Sequence, residues 1–299
     1  MLSADVLPLP TDLLPSSLNP VIGVVGLGLA LLVGLGLRVR RLAGTTLLGP
    51  WCWTTIATLE ICGTELMLAL IQTDETTAEA WRFVAATSAF CPLMSLLGAK
   101  RPQDHAWHFV VLSLWGMLAL PAAEALVLRP GQPLAIIDFR AWFLLALIGL
   151  GLLVLLPTRR WLGALLTAGG QTILFWSYLP GVEAAASGWQ VAGALVCFLL
   201  ALMLTSSQRS KDNQGFDTLW CDFRDWFGAL WAARVLERVN AAAVMYDWPI
   251  RLGWSGFHAA DSPSGSAEIS PELAMELKQN MVNLLRRFVS QAWIDERMP

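Results

Sequence analysis

Charge is the first scarcity in this chain. Asp, Glu, Lys and Arg make up 14% of its 299 residues and hydrophobic residues 56%, whereas a soluble domain ordinarily carries about 25% charged residues. Mean hydropathy is +0.56, and the class these values imply is an integral membrane protein. A net charge of -3 leaves no basic footprint for neutralising phosphates, so nucleic acid is excluded as an expected partner.

Further shortages exclude particular chemistries. The five cysteines, Cys52, Cys62, Cys91, Cys197 and Cys221, form no C-x-x-C pair, so neither a disulfide framework nor a zinc site is implied. The three histidines, His105, His108 and His258, lie away from the span centres, against a haem held by two imidazoles. A metal site built from Asp104, His105, His108 and His258 weighs less than interfacial histidines with structural roles. There is no P-loop, Rossmann glycine pattern or H-E-x-x-H, so no catalytic residue, metal ligand or cofactor is assigned. No Lys or Arg precedes Arg38, so the basic n-region of a signal peptide is missing and the first apolar run is expected to be a retained anchor.

What the chain has in quantity is apolar length. A bilayer core of about 30 Å takes roughly 20 helical residues, and seven runs approach that length: 21–37, 51–71, 81–99, 107–128, 141–156, 161–179 and 189–205. The loops RVRR, KRPQDH, PTRR and SQRSK are basic, and short basic loops stay in the cytoplasm; the intervening loops are acidic, mixed or nearly uncharged. Fifteen tryptophans against two tyrosines fall largely at the resulting borders, with Trp51, Trp53, Trp107 and Trp161 on the inner side. Trp81, Trp142, Trp176 and Trp189 fall on the outer side, as amphipathic indoles should. The expected fold is therefore all-α: a polytopic seven-transmembrane-helix bundle with the N-terminus outside and the C-terminus cytoplasmic. Residues 1–20 form an extracytoplasmic segment, 21–205 the bundle and 206–299 a small helical cytoplasmic tail. In the first span Gly26, Ala30 and Gly34 make a small-residue stripe, expected to pack within the chain.

Two helices are expected in the tail. The first runs through FDTLWCDFRDWFGALWAARVLERVN, with Asp217 as its cap, Asp222 and Asp225 early and Arg234 and Arg238 late, in agreement with the helix dipole. Trp220, Phe223, Trp226, Phe227 and Leu230 are its candidate partner contacts. The second opens with Ser270 as N-cap and Pro271 at the first helical position, followed by Leu273, Leu277, Met281, Leu284 and Phe288 on one face. A loop or short hairpin joins them.

The unusual feature inside the membrane is TLEICGTELML, residues 58–68, with two carboxylates. An acid near the bilayer centre costs about 2.5 to 3.5 kcal/mol on insertion scales, so it protonates or finds partners. Glu60 and Glu65 are five residues apart, which turns a helix by about 500° and leaves them about 140° apart; they do not form a pair. The spans are read as holding no Lys or Arg, so neither acid has an expected counter-ion. Thr87, Ser88, Glu124 and Gln171 are the polar neighbours, with Glu65, Thr87, Ser88 and Glu124 in the outer half.

Two resemblances fail at their essential residues. Seven spans with an external N-terminus resemble rhodopsin-like proteins, whose retinal is held by a lysine in the seventh helix, but the only lysines here are Lys100, Lys211 and Lys278. Gly253-Trp254-Ser255-Gly256 with His258 resembles the G-x-S-G of rhomboid proteases, but the residues that follow cannot span a membrane, and a Gly-rich turn is expected. The leading functional expectation is a non-enzymatic sensor, scaffold or assembly factor whose tail contacts a protein partner. A transporter or proton-linked carrier using Glu60 and Glu65 comes second, and an intramembrane enzyme on a lipid-linked substrate third. The lipid bilayer is the expected surrounding, in a bacterial cytoplasmic membrane.

Overall fold

The computed structural model describes residues 18–71, 73–101, 103–134, 136, 138–182, 186–204, 215–266 and 269–298, with only the backbone at 18, 19, 104 and 262–266. Most of the N-terminal segment and the junction at residues 205–214 lie outside the described residues.

The chain is mostly helical, the form in which an apolar segment satisfies its own backbone hydrogen bonds. Five stretches, Pro20–Leu42, Leu48–Ile71, Glu75–Leu97, His105–Leu128 and Asp138–Leu155, are long and apolar enough to cross a membrane. This is a helical membrane protein. The helices are α1 (Leu18–Leu42), α2 (Leu48–Ile71), α3 (Glu75–Ser88), α4 (Cys91–Leu97), α5 (Asp104–Ala123), α6 (Asp138–Leu155), α7 (Trp161–Leu174) and α8 (Gly188–Leu204). At 14 residues α7 is shorter than the run the sequence predicts, whereas α8 at 17 residues matches its run in length. A 3-10 turn at Trp176–Tyr178 follows α7.

The third stretch is two helices in line. Ala89 N–H bonds to Ala86 O and Phe90 N–H to Thr87 O, tightening the backbone before Pro92, which has no N–H and sits in the first turn of α4. Helices α7 and α8 pack on each other, α1 lies against both α8 and α2, and α2 lies against α3 and α4. Phe90 and Phe175 stack at 4.9 Å between ring centroids in this core. The small-residue stripe of α1 is used differently from the expectation. Gly26 meets nothing, whereas a Cβ at Gly28 would overlap Cys62 Sγ of α2 and one at Gly34 would lie 2.9 Å from Leu202 of α8.

The C-terminal region contains α9 (Phe216–Met245), β1 (Ile250–Leu252), β2 (Phe257–Ala259), β3 (Ser262–Ser266), α10 (Pro271–Leu285) and α11 (Gln291–Asp295). The predicted loop or hairpin is thus a three-stranded antiparallel sheet in the order β1-β2-β3, with Ile250 opposite Ala259 and Leu252 opposite Phe257. The Gly253–Gly256 stretch is the β1–β2 turn, closed by Gly253 N–H to Gly256 O at 2.8 Å. Ser270 caps α10 by accepting from Leu273 N–H, with Pro271 in the first turn, as the sequence predicts.

Asp217 does not cap α9; its carboxylate accepts from Phe257 N–H at 2.8 Å and fixes the start of β2. Nor is α9 continuous. Gly228 adopts φ 77° and breaks it, and only glycine fits there, since a Cβ would lie 2.7 Å from Val154 Cγ1 and 2.9 Å from Val154 O at the end of α6.

Candidate functional site

The polar residues singled out within the bundle, Glu124 apart, separate into two places. At the first, Glu65 is 3% exposed and accepts from Arg82 Nε at 2.7 Å and Nη2 at 3.1 Å. Arg82 lies one residue inside the third expected span and overturns the reading of the spans as free of Lys and Arg. Its Nη1 donates to Ala186 O at 3.2 Å, just before α8, so one guanidinium joins α3, α2 and the approach to α8. Nearby, Tyr178 donates to Glu79 O at 3.2 Å and packs edge-on against Phe83. Glu124 is elsewhere in use: it is half exposed, opens a π-helical turn and pairs with Arg129 at 3.5 Å. Glu65 and Glu124 thus answer to different arginines.

The second place is the break between α3 and α4. Gln171 of α7 donates to Ala89 O at 3.0 Å, and Glu60 of α2 lies near Ser88. Ser88 and Thr87 hydroxyls donate back to Ala85 O and Val84 O. A side-chain amide from a neighbouring helix therefore meets irregular backbone inside the bundle, where such backbone needs partners. The signal for this was legible in part, since Pro92 marks the interruption. The pairing of Gln171 with Ala89 depends on the packing of α7.

A cavity of about 380 Å³ runs from this break to the C-terminal region. Leu35, Ile61, Leu96, Leu155, Leu195 and Phe198 are among its apolar walls. Its threonines do not offer polarity to the interior: Thr54, Thr58 and Thr167 each donate to the carbonyl four residues earlier in their own helix. One end meets Gln171, and the other meets Arg160, Asp225 and Trp226.

The basic end of the bundle is joined to the C-terminal region by backbone hydrogen bonds. Thr46 N–H donates to Phe288 O at 2.9 Å, Ser290 N–H to Gly44 O at 2.6 Å and Arg101 N–H to Arg287 O at 2.8 Å. Indoles add to this seam: Trp231 Nε1 donates to Leu96 O at 3.0 Å and Trp254 Nε1 to Pro157 O at 2.7 Å. Of the candidate partner contacts, Trp220, Phe223 and Phe227 are fully buried in the core that C-terminal residues share with Leu47, Leu96, Ala99 and Val154. Trp226 is partly buried on that core, and Leu230 is 40% exposed.

The tryptophans of the bundle also divide. Trp51 donates to Leu35 O, Trp107 to Met94 O and Trp53 to His108 Nδ1 at 2.9 Å, so these indoles brace helices. That hydrogen bond makes Nδ1 of His108 the acceptor and engages it with Trp53. Trp81, Trp142, Trp161, Trp176 and Trp189 are exposed on the bundle surface. His258 is in β2 beside Gly253.

Compared with protein-family models, curated proteins and solved structures, the chain matches none.

Proposed function

We propose that this is a seven-span protein of a bacterial cytoplasmic membrane, N-terminus outside, acting as a non-enzymatic sensor, scaffold or assembly factor. Helix α7 with its 3-10 extension and the apolar α8 supply the sixth and seventh crossings. The orientation rests on Arg40, Arg41, Lys100, Arg101, Arg159 and Arg160, which stand at the end of the bundle that meets the C-terminal region.

The observation that carries the reading is the backbone seam between residues 44–46 and 101 on one side and 287–290 on the other. A shift of the α1–α2 or α4–α5 connection is transmitted to the C-terminal region directly, because peptide groups and a common core hold them together. The apolar area of α9 is largely consumed within the chain. The surface left for a protein partner is the exposed remainder, including Leu230, Val244, Met245 and Tyr246. A carrier reading has less support, because Glu65 is committed to Arg82.

The test is site-specific photo-crosslinking from Leu230 and Tyr246 in the full chain in native membranes. The reading expects a discrete protein adduct from one of these positions that Leu230→Asp or Tyr246→Asp removes. Adducts to lipid alone from both positions would sink it.

A further inference from the structure

We propose that the cavity between the α3–α4 break and Arg160 is a binding site for an anionic bilayer phospholipid, with an acyl chain in the apolar interior and the phosphate at Arg160 and Arg38. The site is independent of any protein partner, so its test and the crosslinking test fail separately.

The volume of about 380 Å³ falls in the range of roughly 300 to 1,000 Å³ typical of ligand sites. Its lining divides sharply along its length. The walls are leucine, isoleucine, alanine and phenylalanine, with threonine hydroxyls bonded back to their own helices. An occupant with a polar body would lose hydrogen bonds there without replacement.

The mouth has the opposite character, and its charges do not cancel. Asp225 lies at the mouth, but its Oδ1 accepts from Arg224 Nε at 2.9 Å and Nη2 at 2.8 Å, and its Oδ2 lies 3.9 Å from Arg159. Asp222 is held by Arg297 at 2.8 Å. Each nearby acid is thus paired with another arginine. Among the described residues Arg160 makes no ion pair; its guanidinium lies 5.3 Å from the centroid of the Trp226 ring. Burial pushes the Arg160 guanidinium down, and Asp225 and Asp222 offset this only in part, while Arg38 adds to it.

A second sign is Arg38, which lies outside the cavity lining and whose charge opposes that of Arg160. Its Nη1 is buried and has no hydrogen-bond partner among the described residues. A buried guanidinium N–H without an acceptor, together with a second arginine free of any ion pair among the described residues, is the arrangement that an anion completes. An apolar chamber ending at such a pair selects an amphiphile with an anionic head. In a membrane the abundant amphiphile of that kind is a phospholipid.

The experiment uses the full chain, delipidated in detergent and examined by native mass spectrometry with dioleoyl phosphatidylglycerol, dioleoyl phosphatidylcholine or inorganic phosphate. The expected result is retention of phosphatidylglycerol about tenfold or more above phosphatidylcholine. Arg160→Gln and Arg38→Gln should each bring the ratio towards one, and Ala168→Trp, which fills the cavity, should lower retention of both lipids. Equal retention of the two lipids by the native chain, or an unchanged ratio in Arg160→Gln, would overturn the proposal. Displacement of phosphatidylglycerol by inorganic phosphate alone would show that the site reads a free anion, and would overturn the lipid assignment. Should Ala168→Trp not fold, a diazirine at the chain terminus of phosphatidylglycerol locates the chain in the native protein. Labelling of Ile61, Leu195 or Phe198 supports the proposal, and labelling confined to outward residues such as Phe109 and Leu153 refutes it.

Discussion

Glu65 and Arg82 meet face to face, with two parallel N–H to oxygen contacts at 2.7 and 3.1 Å and the carboxylate almost wholly enclosed. Helices α2 and α3 are thereby locked at one end of the bundle, and Ala186 ties the approach to α8 into the same guanidinium.

Removing one partner leaves the other charge buried and alone, which costs about 3 kcal/mol. Glu65→Leu should lower the thermal midpoint in detergent markedly, whereas Glu65→Leu with Arg82→Leu should recover part of the loss. Arg82→Lys should not substitute, since an ammonium cannot supply the fork. Additive effects in that double-mutant cycle would show that the contact is not energetically coupled.

Gly228 is the joint of α9. Gly228→Ala should destabilise by about 1 to 3 kcal/mol, from positive φ together with the approach to Val154. The measurable outcome is faster protease cleavage in the C-terminal region while the bundle stays folded. Val154→Ala should relieve part of that defect, because it removes Cγ1 but not the carbonyl.

Trp231 carries a hydrogen bond from the C-terminal region to Leu96 O. Trp231→Phe keeps an aromatic ring but loses the indole N–H and some buried volume, leaving a buried carbonyl without its donor, an expected loss of at least about 1 kcal/mol. Amide exchange should rise at residues 96–99 and 287–290 together if the seam opens as a unit.

Asp74 caps α3, accepting from the Thr76 hydroxyl and the Thr77 N–H, and these bonds hold its carboxyl at about 2, below its ordinary 3.8. Because the folded value is depressed, the cap contributes fully above pH 3.8 and is lost as pH falls through about 2. Carboxyl NMR of the folded chain should give a midpoint near 2 that moves up in Thr76→Ala; no movement would show that the hydroxyl does not hold it.

Gln171→Leu should destabilise by about 1 kcal/mol through the carbonyl of Ala89. Its companion Gln171→Glu should do worse at neutral pH, since a carboxylate cannot donate to that oxygen. Thermal midpoints of the two variants decide the order.

The sequence by itself determined the membrane class, because hydropathy and apolar run length are summed along the chain and need no fold. It also determined the α10 cap, since Ser270 and Pro271 act within one turn. The run 81–99 is read as one span without the helix break before Pro92, although the missing N–H of a proline is a local signal for it. Tertiary structure decided which polar groups meet. Arg82 and Glu65 are 17 residues apart and come together only when α2 and α3 pack, and Asp217 leaves the role of cap for a strand 40 residues away. It also decided that Trp220, Phe223 and Phe227 point inward. Periodicity shows that a helix has an apolar face, but what covers that face is settled by long-range packing and by the backbone seam at residues 287–290.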